Sequence, residues 1–466
     1  MMDGKHRPTR AVVIGGSMAG LLAARVLAER FDAVVVLDKD VLPDTAAPRQ
    51  GVPQGRHVHV LLASGLRIIK ELFPGIAGEL TEAGALPARG SMYLNGGYLI
   101  PPPEGLRVIT ASRPLIEGVV CRRLTQLGNV RIAAGTTARQ IGSTPDRSRV
   151  TSVAMSDATG DSVLDADLVV DATGRGSRAA RWLKELGYAG PAVERIKIPI
   201  TYVTRCFRRA PGDLDGDTVE MVASDQPCHR GAMMGAIEGG RWIVTLTGYG
   251  NQVPPQDMAG FIAYARSLPA RRIGDLVSRA EPLDDGCVFH FPASLRRHWE
   301  RVAHLPDGFV VVGDGICSFN PVFGQGMTVA AQESQALAAA LAGPHSGLAR
   351  RFYRAAAHLV DRPWAIAAGT DLQHPDAIGR RGVLTGMVHG YMNRLSRAAQ
   401  SDPHVATRLY QALNLMIPSA GLFRPDIVVR TLRHGSVRRR ERKAAGEARP
   451  GCNTLRAMQG GTAPRA

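Results

Sequence analysis

Four stretches of the chain carry an uninterrupted apolar run that meets a glycine or an acid: Ala11–Ile14, Ala33–Asp38, Asp167–Gly174 (apolar at Leu168–Val170) and Phe309–Val312. Apolar blocks with no polar alternation predict strands buried on both faces. Helical periodicity follows the first and last of them, and Arg175-Gly176-Ser177-Arg178 leads from the third into a helix. Leu21–Glu29 and Met327–Leu341 read as helices, and from Arg113 the apolar residues Leu115, Ile116, Val119, Val120 and Leu124 recur at helical spacing. Leu61–Leu72 predicts a further helix, and Val130–Ala133 a further strand. Val150–Ser156 and Ser162–Leu164 alternate between turn residues, as a small β-meander does. Residues 190–284 change character: pieces such as Ile198–Phe207 and Arg241–Thr247 alternate with Gly- and Pro-rich turns, predicting an antiparallel sheet inserted between two of the buried strands. From Gly347 to about Arg433 the pattern is helical, with Asp361 before Pro363 and Asp402 before Pro403 read as helix starts. The remaining tail is basic, glycine-rich and poor in large apolar residues, which predicts disorder.

The turns after the buried strands carry the candidate chemistry. Gly15-Gly16-Ser17-Met18-Ala19-Gly20 joins the first strand to its helix, and the next strand ends on Asp38 and Lys39. Strand, glycine turn, helix, strand and acid in that register form the βαβ dinucleotide fingerprint, with Ser17 where the second glycine usually stands. Gly20 lets helix pack on strand, and Asp38 suits the ribose hydroxyls of an adenosine. Gly313-Asp314 closes the last buried strand. Pro321, Gly324, Gln325 and Gly326 then form a stiff loop with little side-chain bulk, leading into the helix at Met327. Free N–H groups and the positive dipole end of that helix make a site for a polar ligand carrying negative charge. Asp171 and Gly174 end the third strand, and Arg113, just before a helix, is placed to clamp a diphosphate. His57 and His59 would share one face of a strand, but no third ligand follows at a fitting interval, so no metal is expected. Gln54 and Arg56 are expected to face cofactor or substrate.

Composition narrows the class. A chain of 466 residues can bury a large core, and no run is long and apolar enough to span a bilayer. The first ten residues lack the apolar core of a secretion signal. Six cysteines show no CxxC pairing, so reduced thiols and a cytoplasmic protein are expected. A net charge of +16, spread through body and tail, favours anionic ligands in general; without aromatic or motif support it does not point to nucleic acid.

GGSMAG with VVVLDKD, DLVVDATGRGSR and VVVGDGICSFNPVFGQGM resemble the single-component (group A) FAD-dependent monooxygenases. In that family these stretches are the adenosine-binding turn, the segment touching FAD and passing nicotinamide, and the ribityl-binding strand. GVPQGRHVHVLL, SRPLIEGVV, EGGRW and RPWAIAAGTDL add a similarity to the bacterial flavin epoxidases of polyether antibiotic biosynthesis, over nearly the whole chain except the tail. The resemblance implies a Rossmann-like FAD-binding domain of ββα type (8–75, 100–185 and 286–345) with an inserted antiparallel-sheet substrate domain (76–99 and 186–285). A C-terminal helical region (346–434) and the basic tail (435–466) follow. It also implies non-covalent FAD, NAD(P)H as transient reductant, and transfer of one oxygen atom from O2 to a hydrophobic secondary metabolite through a C4a-hydroperoxyflavin. Alkene epoxidation is the reading, with aromatic hydroxylation or reduction of isoprenoid double bonds as alternatives.

Two departures shape that reading. Aromatic hydroxylases of the family usually carry GDAAH, whereas this chain has Gly313-Asp314-Gly315-Ile316-Cys317. Flavin halogenases carry a WxWxIP stretch, and none of Trp182, Trp242, Trp299 and Trp364 sits in one. Epoxidation needs a pocket that aligns the double bond and no base, and no catalytic side chain is assigned.

Overall fold

The computed structural model describes residues 9–41, 46–224, 229–382 and 385–433; the tail read above as disordered lies outside the described residues. The four predicted buried strands form one parallel sheet of five strands. Its order is Phe309–Val311, Leu168–Asp171, Arg10–Ile14, Ala33–Asp38 and Val130–Ala134. Val12 in the central strand pairs with Val169 on one side and Val35 on the other. Ala11, Val12 and Val13 are wholly buried, which is why this strand shows no polar alternation. Helices α1 (Met18–Leu27) and α2 (Ala63–Leu72) pack against α4 (Gly326–Leu341), and α3 (Arg113–Thr125) packs on α1. The expected small meander has three strands, Thr137–Ser143, Val150–Asp157 and Gly160–Asp165, the first of them not foreseen.

The inserted region builds an eight-stranded sheet, mostly antiparallel. Ala192–Arg208 lies at its centre, between Cys287–His298 and Arg241–Tyr249. Two features differ from the expected layout. Cys287–His298 and Cys317–Ser318 belong to this sheet although they fall in the stretch read as FAD-binding. At the far edge, Val219–Val222 pairs in parallel with Gly90–Leu94, because these two strands are reached by a long crossover and no hairpin constrains their direction. Behind the sheet, Val203, Phe207, Trp242, Val244 and Leu246 form a second core.

Helices follow at the C-terminal end. Asp402 caps α6 (Pro403–Leu413), accepting from the N–H groups of His404 and Val405, as its sequence suggests. Asp361 and Pro363 do not start a helix: α5 runs unbroken from Leu348 to Asp371 with Pro363 inside it. The missing Pro363 N–H costs one helical hydrogen bond, to Leu359. Asp361 instead pairs with the buried Arg296 at 2.9 Å. Among the described residues no helix is long and apolar enough to cross a membrane. Cys121, Cys206, Cys287 and Cys317 are free thiols.

Candidate functional site

The carboxyl ends of the parallel strands face the inner surface of the large sheet across a cavity of about 640 Å³. Ligands of open α/β sheets bind at this end of the strands. The cavity gathers nearly all the residues singled out in the sequence. Gly15, Ser17, Met18 and Ala19 line it at the first turn, with Asp38, Lys39 and Arg113 beside them. Gly174, Gly313, Asp314, Pro321, Gly324, Gln325, Gly326 and Met327 line it further along.

Gly20 and Asp171 stand behind the wall and act on the turns. A Cβ on Gly20 would meet the Gly15 carbonyl oxygen at 1.8 Å, so helix α1 sits on the strand only because this residue is glycine. Asp171 is wholly buried. Its Oδ1 accepts from the Thr173 N–H (2.9 Å) and hydroxyl (2.5 Å), and its Oδ2 from the Ser177 hydroxyl (2.7 Å), which braces the DATG turn.

An ion cluster covers the first turn, and only part of it was visible in the sequence. Ser17 donates to Glu117 Oε1 (2.7 Å) and accepts from Arg113 (2.9 Å), which also donates to Glu117 (2.9 Å). Arg49 donates to Asp38 (3.1 Å), to the Gly16 carbonyl (3.0 Å) and to Glu117 Oε2 (3.2 Å). Asp38 also accepts from the N–H groups of Gly16 (2.7 Å) and Asp40 (2.8 Å). Burial alone would raise the Glu117 carboxyl; Arg113, the Ser17 hydroxyl and Arg49 together hold it below its usual range. Glu117 and Arg49 went unnoticed because the contacts that bring them to the first turn, Glu117 with Ser17 and Arg49 with Glu117, span 100 and 68 residues. The available signal was Glu117 four residues after Arg113 in a helix, an i,i+4 pair.

The histidine expectation needs correction. Pro53–Arg56 is a 3-10 turn and the strand is only Val60–Leu61, so His57 and His59 share no strand face. His57 Nδ1 instead meets Thr204 Oγ1 at 2.7 Å, and His59 Nδ1–H donates to the His57 carbonyl at 2.9 Å. Gln54 lines the cavity as expected, whereas Arg56 is exposed.

The sheet side of the cavity is largely apolar, with Met221, Val222, Met233, Phe289 and Phe291 among its walls and Tyr202, Thr245 and Thr247 beside them. A buried polar chain enters it from α5, which the sequence did not reveal. Tyr202 donates to Asn320 Oδ1 (2.6 Å), and Asn320 Nδ2 donates to Tyr249 (3.0 Å) and to Asp371 (2.7 Å). Asp371 also accepts from Ser294 (3.3 Å). Burial pushes the Asp371 carboxyl up to about 7, with Asn320 and Ser294 pulling the other way. Between about pH 4 and 7 the folded protein therefore holds a proton that the unfolded chain has lost, so this group's contribution to stability falls as pH rises. Asp371→Asn keeps the shape and removes the titration. Its stability relative to wild type should improve across that window by up to about 1.4 kcal/mol per pH unit. Urea midpoints of the two proteins that run parallel with pH would contradict the assignment.

These residues fit a flavin dinucleotide. Gln325 is 2% exposed at the start of α4, and its Oε1 has no hydrogen-bond partner among the described residues. A Cβ added at Gly176, Gly324 or Gly326 would meet no atom within 4 Å, so these glycines leave space beside the backbone that the fold does not use. At α1 the Met18 N–H already donates to Glu117 Oε1 (3.3 Å), whereas no side chain caps α4, which leaves its N-terminal N–H groups to ligand or solvent. The first turn, Asp38, Arg49 and Arg113 would hold the adenosine diphosphate half, and the loop from Pro321 to Met327 the flavin half. FAD would supply redox chemistry that no side chain here offers.

Residues 8–358 match the family model of an FAD binding domain. A curated relative, Protein Rv3254 of Mycobacterium tuberculosis (strain ATCC 25618 / H37Rv), is 34% identical over 88% of this chain and 91% of its own. Solved structures of similar fold include the flavin-dependent brominase Bmp2, with TM-score 0.65, 14% identity and coverage of 93% of this chain and 100% of that one. The p-nitrophenol 4-monooxygenase PnpA from Pseudomonas putida DLL-E4 has TM-score 0.60 and 16% identity, over 87% and 98% of the two chains. The flavin-dependent halogenase CmlS has TM-score 0.63 and 15% identity, over 88% and 77%. The chain belongs to the FAD binding domain family and is an FAD-dependent enzyme of the monooxygenase kind.

Proposed function

We propose that the protein consumes NAD(P)H and O2 to transfer one oxygen atom to a hydrophobic secondary metabolite, by epoxidation of an alkene. The observation that carries this reading is the apolar sheet wall, Met221, Val222, Met233, Phe289 and Phe291, facing the glycine loop at the start of α4. FAD reduced by NAD(P)H would supply O2 activation and oxygen transfer. The chain's own residues do the rest. The N–H groups and dipole of α4 favour an anionic ring beside Gly326. Asp371, through Asn320, holds the loop that begins at Pro321, since Asn320 Oδ1 also accepts from the Val322 N–H at 3.1 Å. The sheet wall orients the double bond and keeps water from it.

Hydroxylation of a phenol needs a base. His57 lines the cavity, but burial, helped by Arg56, lowers its pKa to about 4. A base that weak takes little proton from a phenol of pKa about 10. For halogenation, the only lysine among the described residues lining the cavity is Lys39, beside Asp38 at the dinucleotide end. Turnover with candidate polyenes and phenols, followed by mass spectrometry, tests the proposal: one added oxygen atom on a polyene is expected. Oxygen addition to phenols alone, or a halogenated product, would overturn it.

A further inference from the structure

His57 is held as a ligand-binding side chain is held, and nothing among the described residues uses its outer nitrogen. The 3-10 turn Pro53–Arg56 carries it to the large sheet, where Nδ1 meets Thr204 Oγ1 at 2.7 Å and Thr204 meets Thr245 at 2.7 Å. Thr245 in turn accepts from the Val58 N–H at 3.1 Å, so the chain is anchored at both ends. The ring packs against Phe289 and Tyr202, with centroids 5.4 and 6.1 Å away. Nε2 has no hydrogen-bond partner among the described residues, and His57 lines the cavity. A locked ring nitrogen without a partner is costly unless a ligand or water satisfies it.

We propose that His57 Nε2 is the polar anchor of the substrate, binding one uncharged hydroxyl or carbonyl group of an otherwise apolar polyene. The inference rests on reading the sheet side of the cavity as the substrate site. The imidazole is neutral, so it attracts no carboxylate, and the arginine that lies over Phe291 at this wall, Arg175, donates to the Ala293 carbonyl (2.7 Å) and the Ser318 hydroxyl (3.2 Å). The hydroxyl chain can run in either direction. When Thr245 donates to Thr204 and Thr204 to Nδ1, Nε2 carries the proton and binds a carbonyl; reversed, Nε2 accepts from a hydroxyl. One anchored end and an apolar wall fix which double bond lies beside the glycine loop, so His57 governs regiochemistry as well as affinity.

The test uses the full-length, FAD-loaded protein and follows the flavin visible spectrum during titration, without turnover. Geraniol, farnesol and geranylgeraniol are each compared with the hydrocarbon lacking the hydroxyl. Wild type should bind the best alcohol about tenfold more tightly than its hydrocarbon, the worth of one buried hydrogen bond. His57→Phe, which keeps the ring packing, should bring the ratio to within about twofold, and His57→Gln should retain part of it. If His57→Phe does not load FAD, Thr204→Val, which unlocks the ring, should lower the ratio in the same direction. Equal affinities in wild type, a preference that survives both substitutions, or binding of no pair overturns the proposal. Because binding is read separately from product, an intact preference with no oxygen transferred would refute the monooxygenase reading and leave the anchor standing.

Discussion

Gly20→Val is expected to abolish FAD binding and to deplete folded protein. A Cβ at this position would lie 1.8 Å from the Gly15 carbonyl oxygen and 3.3 Å from the Ala172 side chain. The first obstacle is backbone, and it cannot retreat. Gly15 has φ +104° and is itself wedged against the Ala172 carbonyl, which a Cβ there would approach to 2.7 Å. Strand, turn and helix are thus locked together at two glycines, Gly15 and Gly20, against Ala172, and the substitution separates α1 from the sheet. The cost exceeds about 4 kcal/mol, the range reserved for broken cores and impossible backbones. Soluble yield and FAD per polypeptide after purification give the measure, and a normally yellow Gly20→Val protein would contradict the packing described here.

Gly326→Val should act in the opposite manner, leaving the fold intact and changing the flavin. A Cβ at Gly326 meets no protein atom within 4 Å, so the variant should fold and still load FAD through the first turn. The valine would stand between the first N–H groups of α4 and the ring. A helix N-terminus stabilises an anion by up to about 2 kcal/mol when partly buried, so removing that contact should lower the two-electron potential by about 20–40 mV. Reduction by NAD(P)H should slow accordingly. Reductive titration of the FAD-loaded variant is the readout, and an unchanged potential would rule out the electrostatic role given to α4.

The parallel sheet and its turns were legible because each is local. Val12, Val13 and Val36 are buried on both faces, so the apolar run needs no partner to be recognised. Gly15, Gly20 and Gly324 announce themselves because a positive φ or a close approach disfavours anything larger, and Gly326 because it leaves the start of α4 bare. What stayed hidden is made by pairing across the chain. Glu117 meets Ser17 at a separation of 100 residues, His57 meets Thr204 at 147, and Asn320 meets Asp371 at 51. None of these residues carries a spacing that names its partner. The helix start read at Asp361 failed for a related reason: the acid resembled a cap in sequence, while its partner, Arg296, lies in a strand of the large sheet. Local rules found where the ligand would lie, and only the fold supplied the groups that hold its surroundings.

Isotopic stoichiometry tests most directly whether one cavity serves FAD and a hydrophobic substrate together. Turnover under O2 labelled with heavy oxygen, with NAD(P)H oxidation and O2 uptake recorded together, should give a product carrying one labelled atom for each NAD(P)H and O2 consumed. A reduced product formed without O2 uptake, or oxygen in the product that derives from water, would contradict it.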